Sequence, residues 1–475
     1  MSFDYDLIVI GSGPAGQRAA VQAAKAGARV VVIERRQVVG GVCLHAGTIP
    51  SKTLREAVLY FRGVRQRHFY GKTYIRKRDV SLADLTFRVN KVLTTEMEVL
   101  EAQLKRNKID MIHGQAGFVD AHTLHILNPV ERSAKQITGD YVILATGTIP
   151  RRPADVPFDY ETIFDSDFIF SPVNKRNDVP KSIIILGAGV IGTEYAAMLG
   201  NLGVETHLVD PKDKIMPFID RDILKQMQKH MEDAGVTFHL GLTGPKVIRT
   251  ESGRARVEFD NHKPIEAETL LFAMGRAPFV EPLNLPALGI EQDDRGHVKV
   301  DSTYRTNVPS VFAVGDLIGF PALASVSSEQ GRMAASEALG IYNESRPSLF
   351  PFGIYTIPEI SMVGKTEQQL ESAGVPYAQG VAFYREIAKA NMIGDEQGAL
   401  KLLFHRENRK ILGVHIIGDQ ASELIHIGQA VLSFNGTLDY FIDTVFNYPT
   451  LAEAYKVAAL SGRNALKGLA TYSHL

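Results

Sequence analysis

One pattern occurs twice in this chain. "DLIVIGSGPAGQRAAVQAAKAGARVVVIERR", Asp6 to Arg36, runs through an apolar stretch, a glycine turn, an alanine-rich segment and a second apolar stretch. "KSIIILGAGVIGTEYAAMLGNLGVETHLVD", Lys181 to Asp210, repeats that order. Continuous runs such as "LIVI" and "IIIL" suit strands buried on both faces of a parallel sheet. Alanine favours helix and lets it pack closely on the sheet. A strand–turn–helix–strand unit used twice in 475 residues points to two related modules rather than one enlarged core.

The glycines say what the modules hold. Gly11, Gly13 and Gly16 fit G-x-G-x-x-G, as do Gly187, Gly189 and Gly192. The first glycine permits the tight turn, the second lets backbone approach a pyrophosphate, and the third lets helix and strand pack closely. Unpaired N–H groups and the positive end of the helix dipole then face the phosphates. In each copy an acid stands 18 residues after the last glycine, Glu34 in the first and Asp210 in the second, placed to accept hydrogen bonds from a ribose diol. Asp210 suits the unphosphorylated ribose of NAD. Lys212 and Lys214 either offset a 2′-phosphate, admitting NADP, or belong to an ordinary solvated loop. Two dinucleotide sites in one chain imply electron transfer between two cofactors.

The rest of the chain narrows the class. A net charge of -1 with 45% hydrophobic residues gives no basic nucleic-acid face, no acidic tail and no membrane-surface character. No apolar run approaches the ~20 residues of a membrane span. The N-terminus "MSFDYDLIVIGSG" lacks a basic signal-peptide region, so the cytosol is the expected compartment. One cysteine, Cys43, excludes an intramolecular disulfide. Residues 53 to 105 read as mainly helical and charged, and "IHGQAGFVDAHTLHI" and "QITGDYVILATGTIP" as short strands. The proline-rich "PRRPADVPFDY" reads as a crossing between domains. "LLFAMGRAP" and "VFAVGDLIG" end strands. The tail from about Leu349 mixes strands ("GALKLLF", "KILGVHIIG") with helices ("SELIHIGQAVLSF", "TLAEAYKVAALSGRNALKG") and lacks a fingerprint, as a substrate or oligomerisation domain would.

"GSGPAG", "VIERR", "GGVC…IPSK", "ATGT", "GAGVIGTE", "AMGRAP" and "AVGD" occur in the order and spacing of the flavoprotein disulfide reductases, the family of lipoamide dehydrogenase and glutathione reductase, which this chain resembles over essentially its whole length. The resemblance implies an α/β protein with two Rossmann-like domains and a C-terminal α+β dimerisation domain. Residues 1–150 and 280–348 would form a discontinuous FAD domain, 151–279 the NAD(P) domain and 349–475 the interface domain. It implies FAD contacts from Gly11, Gly13, Pro14, Ala15, Gly16, Glu34 and Arg35, and from Gly40, Gly41, Val42 and Cys43. Ala116 and the loop Thr146, Gly147, Thr148 would add backbone contacts. Asp316 would hold the ribityl chain, with Ala322, Leu323, Ala324 and Ser325 capping the ring. The second nucleotide falls to Gly187, Gly189, Val190, Ile191, Gly192, Glu194, Asp210 and Gly275. Lys52 of "IPSK", paired with Glu194, would lie by the flavin as a fixed cation, or would serve as a structural ion pair between domains. No metal ligand set is expected.

The departures are equally informative. The family carries Cys-x4-Cys where this chain has Cys43 and Thr48, and His-Pro near the C-terminus where it has Tyr448, although Glu453 remains. Dithiol exchange needs an attacking thiolate and a base. Both are missing, so a disulfide reductase of the usual kind is excluded and Cys43 reads as a small packing residue at the flavin edge. "GTIPSK", "GIYTIPEIS", "VGKTEQQL", "LIHIGQA" and "FNYPT" resemble the subfamily that lacks the cysteine pair. That implies ping-pong hydride transfer from NADPH to FAD to NAD⁺, in a homodimer or larger homo-oligomer. The alternatives are an NAD(P)H diaphorase or quinone reductase and, outside catalysis, a flavoprotein kept for assembly. His45 reads as a solvent-facing loop histidine, His426 as a packing or hydrogen-bonding residue, and Tyr448 as filling the space of the absent histidine.

Overall fold

The computed structural model describes residues 3–63, 80–170, 178–341 and 347–469. Its first sheet is built on the strand Tyr5–Ile10, which pairs in parallel with Val30–Glu34 on one side and with the strand Ser133–Leu144 on the other. Asp110–His113 continues the parallel ladder beyond Val30–Glu34, and Val311–Ala313 pairs in parallel with the last residues of Ser133–Leu144. The first half of Ser133–Leu144 pairs antiparallel with Thr123–Asn128, which in turn pairs with Gln115–Phe118. One twelve-residue strand thus serves two ladders, longer than its sequence promised.

Alternation along Tyr5–Ile10 explains the apolar run. Leu7 and Val9 join the core under the helices Pro14–Lys25 and Ala324–Ala338, while Ile8 and Ile10 join the core on the opposite face. The alanine-rich helix earns its composition by close approach: a Cβ on Gly331 would lie 2.0 Å from the Ala15 carbonyl oxygen. Only small residues let two helices meet at that distance.

The middle sheet is fully parallel, in the order Val236–Leu240, Glu205–Asp210, Ser182–Leu186, Thr269–Phe272, Ile163–Asp165. The proline-rich crossing, irregular over most of its length, delivers the chain to the edge strand Ile163–Asp165. The C-terminal sheet is antiparallel, in the order Phe352–Ile354, Ile360–Gly364, Ile411–Ile417, Ala399–His405, Tyr377–Phe383. Its Val381, Phe383, Ala399 and Ile417 share a core with the middle sheet, and Leu400, Leu402 and Phe404 pack with the helices Ala421–Ser433 and Glu453–Leu466.

The helical reading of 53 to 105 holds over Thr48–Arg62 and Leu82–Arg106; residues 64–79 of it lie outside the described residues. Cys43 is not in a loop. It sits on a short helix, Gly41–His45, directly ahead of the longer one. Among the described residues no helix is long and apolar enough to cross a membrane.

Candidate functional site

The two fingerprints fold alike. Gly11 and Gly187 turn the chain at φ of +106° and +114°, where any side chain is strained. A Cβ on Gly16 would lie 1.9 Å from the Gly11 carbonyl oxygen, and one on Gly192 the same distance from that of Gly187. Both third glycines therefore press helix onto turn. At Gly13 and Gly189 a Cβ would meet open space, and neither following helix has a side-chain cap at its N-terminus. The first N–H groups are left for a ligand.

The acids brace these turns. Glu34 is buried; its Oε2 accepts from Ser12 N–H at 3.0 Å and Ser12 Oγ at 2.6 Å, and its Oε1 from Arg36 N–H at 3.0 Å. Ser12 Oγ also accepts from Gly40 N–H at 3.0 Å, tying the fingerprint to the Cys43 segment. Asp210 does the corresponding work, accepting from Ala188 N–H at 2.7 Å and Lys212 N–H at 2.9 Å.

A cleft of about 1170 Å³, partly open to solvent, runs from the first fingerprint past Cys43 to Asp316. Its lining, from the glycine turn at one end to a buried carboxylate at the other, suits an extended dinucleotide. Gly11, Gly13, Pro14 and Ala15 line one end with Glu34 and Arg35; Gly41, Val42 and Cys43 form one wall. Ala116, Thr146, Gly147 and Thr148 face them, with Asp316, Ala322 and Ala324 further along. Gly16 lies behind the lining against Gly11, Gly40 beneath it, and Leu323 and Ser325 outside it. Ser327 lines the cleft instead of Ser325, because the helix starts at Ala324 and residues three apart share a face. Ser12, Arg36 and Phe279 also line it, none of them singled out from sequence; the Arg35 guanidinium lies 4.1 Å from the Phe279 ring centroid.

The polar groups fit a flavin nucleotide: a bare helix N-terminus for phosphates, an acid at the ribose end, and a buried carboxylate at the other. Burial pushes the Asp316 carboxyl up, against the pull of Arg276, Ser327 and Thr148. Burial likewise pushes the Cys43 thiol up, with a hydrogen bond from Thr48 working the other way. His45 corrects the sequence reading: it is half-buried and its Nε2–H donates to the Val39 carbonyl at 2.6 Å. His426 Nδ1 lies 2.8 Å from Gln429 Oε1, and Tyr448 is 75% exposed in the single chain.

Lys52 and Glu194 meet where three segments converge. Lys52 Nζ donates to Glu194 Oε2 at 2.6 Å; Glu194 is buried, and its Oε1 accepts from Tyr355 N–H at 2.9 Å. The Tyr355 ring lies 4.8 Å from the ammonium, centroid to Nζ. The helix Thr48–Arg62 supplies the lysine, Val190–Leu202 the glutamate, and the segment just after the strand Phe352–Ile354 the tyrosine. Val190 and Ile191 begin the Val190–Leu202 helix, and Gly275 (φ +96°) lies two residues after Ala273, whose carbonyl oxygen packs on Gly187.

The family described as pyridine nucleotide-disulphide oxidoreductase matches residues 5–331, and its dimerisation domain matches 350–459. A soluble pyridine nucleotide transhydrogenase of Mycobacterium bovis is 45% identical over 468 residues, covering 98% of each chain. That of Escherichia coli is 42% identical over 469 residues, covering 98% of this chain and 99% of its own. The solved structure of LpdA from Mycobacterium tuberculosis superposes with a TM-score of 0.87 at 26% identity, over 96% of this chain and 99% of its own. Fold, fingerprints and sequence agree: the chain belongs to the pyridine nucleotide-disulphide oxidoreductase family.

Proposed function

We propose that this chain is a soluble, FAD-dependent NAD(P)⁺ transhydrogenase of the Si-specific type, working by a ping-pong cycle in the cytoplasm. The Cys43 segment carries the reading. The only thiol in the sequence is pushed away from thiolate by burial and faces Thr48, so no dithiol can take electrons from this cleft. The pyridine nucleotide site that delivers them must also remove them. FAD, bound in the cleft, supplies the hydride-accepting and hydride-donating ring between NADPH and NAD⁺. The curated relatives named as transhydrogenases support this reading.

The protein's part is binding and electrostatics. The Gly13 helix end receives the FAD pyrophosphate, Glu34 its adenosine ribose, and Asp316 its ribityl hydroxyls. The Gly189 helix end and Asp210 receive NAD(H) or NADP(H), with exposed Lys212 and Lys214 beside the ribose position. Lys52, fixed by Glu194 and faced by Tyr355, presents a preorganised cation to negative charge developing on the ring. Hydride passes between cofactors without an external proton, so His45 has no acid–base task. We divide the chain into an FAD domain (1–150 and 280–348), an NAD(P) domain (151–279) and an interface domain (349–475). Exposed Phe434, Tyr440, Val445 and Tyr448 give the last an apolar surface for a second copy.

The test is anaerobic. The FAD-loaded protein is reduced with NADPH, flavin bleaching is followed, and thio-NAD⁺ is added with no other acceptor. Re-oxidation with stoichiometric thio-NADH is the expected result. Bleaching that only a quinone or dye reverses would make the protein a diaphorase, and no bleaching would overturn both.

A further inference from the structure

Among the described residues one lysine is fully buried, and it lies outside the cleft. Lys401, on the strand Ala399–His405, donates to Asp220 Oδ1 at 2.9 Å, Asp222 Oδ2 at 2.7 Å and Glu367 Oε2 at 3.0 Å. An ammonium has three donors, and here each meets a different carboxylate. Asp220 and Glu367 are themselves buried. The same three carboxylates could cage a divalent cation, and Lys401 takes that position instead. A buried charge set of this kind holds only while every member is present.

What it holds is specific. Asp220 caps the helix Arg221–Asp233, accepting from Asp222 N–H at 3.2 Å, and accepts from Glu367 N–H at 3.1 Å. It ends the segment that begins at Asp210, the acid of the second fingerprint. Asp210 fixes the near end of that segment through Lys212 N–H. At the far end Gln368 Nε2 donates to the Ile219 carbonyl at 2.7 Å, and Arg221 pairs with Glu367 and Glu371. Lys401, Glu367 and Gln368 all belong to the C-terminal unit, so the segment between Asp210 and Asp220 is fixed from outside the sheet that carries the fingerprint.

We infer that Lys401 is a positioning residue for the pyridine nucleotide site: through Asp220 it sets the segment that faces the adenosine ribose and its 2′ substituent. This rests on the placement of NAD(H) and NADP(H) at the second fingerprint. Lys401 touches no nucleotide; it acts through the Asp210–Asp220 segment.

The test uses the full-length, FAD-loaded enzyme carrying Lys401→Met. The KM for NADPH and NAD⁺, and the Kd for NADP⁺ measured separately, are expected to rise about tenfold, with kcat falling less than KM rises. Flavin content and visible spectrum stay those of the parent. In Lys401→Ala, ethylammonium chloride is expected to restore KM where potassium chloride at equal ionic strength does not. If Lys401→Met does not fold, Lys401→Met with Asp222→Asn and Glu367→Gln lowers the uncompensated charge to that of Asp220 alone and is expected to show the same KM rise. Unchanged KM in the folded variant, or flavin loss in step with the KM rise, overturns the positioning role. A parent enzyme that binds no pyridine nucleotide overturns the functional reading beneath it.

Discussion

The repeat supplies its own control experiment. Gly11→Ala and Gly187→Ala place the same methyl group at equivalent turns of the two fingerprints. At Gly11 the new Cβ would stand 2.3 Å from the Ala145 carbonyl oxygen, and at Gly187 it would stand 2.5 Å from that of Ala273. Both fall roughly 1 Å short of ordinary contact at 3.4 Å, against backbone that cannot rotate away. The strained φ costs about 1–3 kcal/mol, and the overlap about 1–3 kcal/mol more. If about 4 kcal/mol falls on the ligand-competent turn, affinity drops about a thousandfold, at ~1.4 kcal/mol per decade. Gly11→Ala is expected to emerge from gel filtration without FAD. Gly187→Ala is expected to keep FAD and its spectrum, yet bleach with NADPH only at far higher concentration. Flavin per chain, measured by absorbance after denaturation, and the NADPH dependence of bleaching read the two effects apart. Equal flavin loss in both variants, or normal NADPH dependence in Gly187→Ala, would refute the assignment of one cofactor to each copy.

Lys52→Met should slow flavin reduction about a hundredfold in stopped flow while FAD stays bound; an unchanged rate in the folded variant makes the pair purely structural. Cys43→Ser should keep transhydrogenation within about twofold of the parent, since a half-buried thiol pushed above its usual range by desolvation is a poor nucleophile. A much larger loss would give Cys43 a chemical role. Burial holds the imidazoles of His230, His239 and His415 below their ordinary value. For such groups the unfolded chain binds more protons, so their stabilising effect is complete above about pH 6.5 and is lost as pH falls below it. Asp220, where burial is outweighed by His415 and Lys401, and Glu367, where it is outweighed by Tyr377 and Lys401, are held low and add a second loss below about pH 4. Thermal unfolding against pH should show both declines, and replacing His415 by Gln should shrink the first. A flat profile between neutral pH and pH 5 would contradict it.

The turns were legible because backbone geometry dictates their residues: no other side chain fits at Gly11, Gly16, Gly187 or Gly192, so the glycines stand in the sequence where the geometry needs them. Contacts between distant segments left no such trace. Phe279 reaches Arg35 and Tyr355 reaches Lys52 only after the sheets have assembled. Lys401 sits inside "GALKLLF", which reads correctly as a strand; nothing local says that its charge points inward to acids some 180 positions earlier and 34 away. Ser325 and Ser327 differ by a helical phase, which depends on a helix start the sequence does not mark. His45 was misplaced for the same reason, because the short helix Gly41–His45 turns it onto Val39.

The pairing of Val311–Ala313 with Ile143 and its neighbours means that the chain leaves the first sheet at Leu144 and rejoins it only after the whole middle sheet has been laid down. A chain growing on the ribosome therefore completes its second fingerprint before the first cleft receives Gly315 and Asp316. Closing so long an excursion adds little entropy beyond a shorter one, because the cost grows only with the logarithm of loop length. The order of events is nonetheless fixed by topology: the cleft of the module that is first in sequence stays incomplete until the second fingerprint has been made, and only then does it receive Gly315 and Asp316.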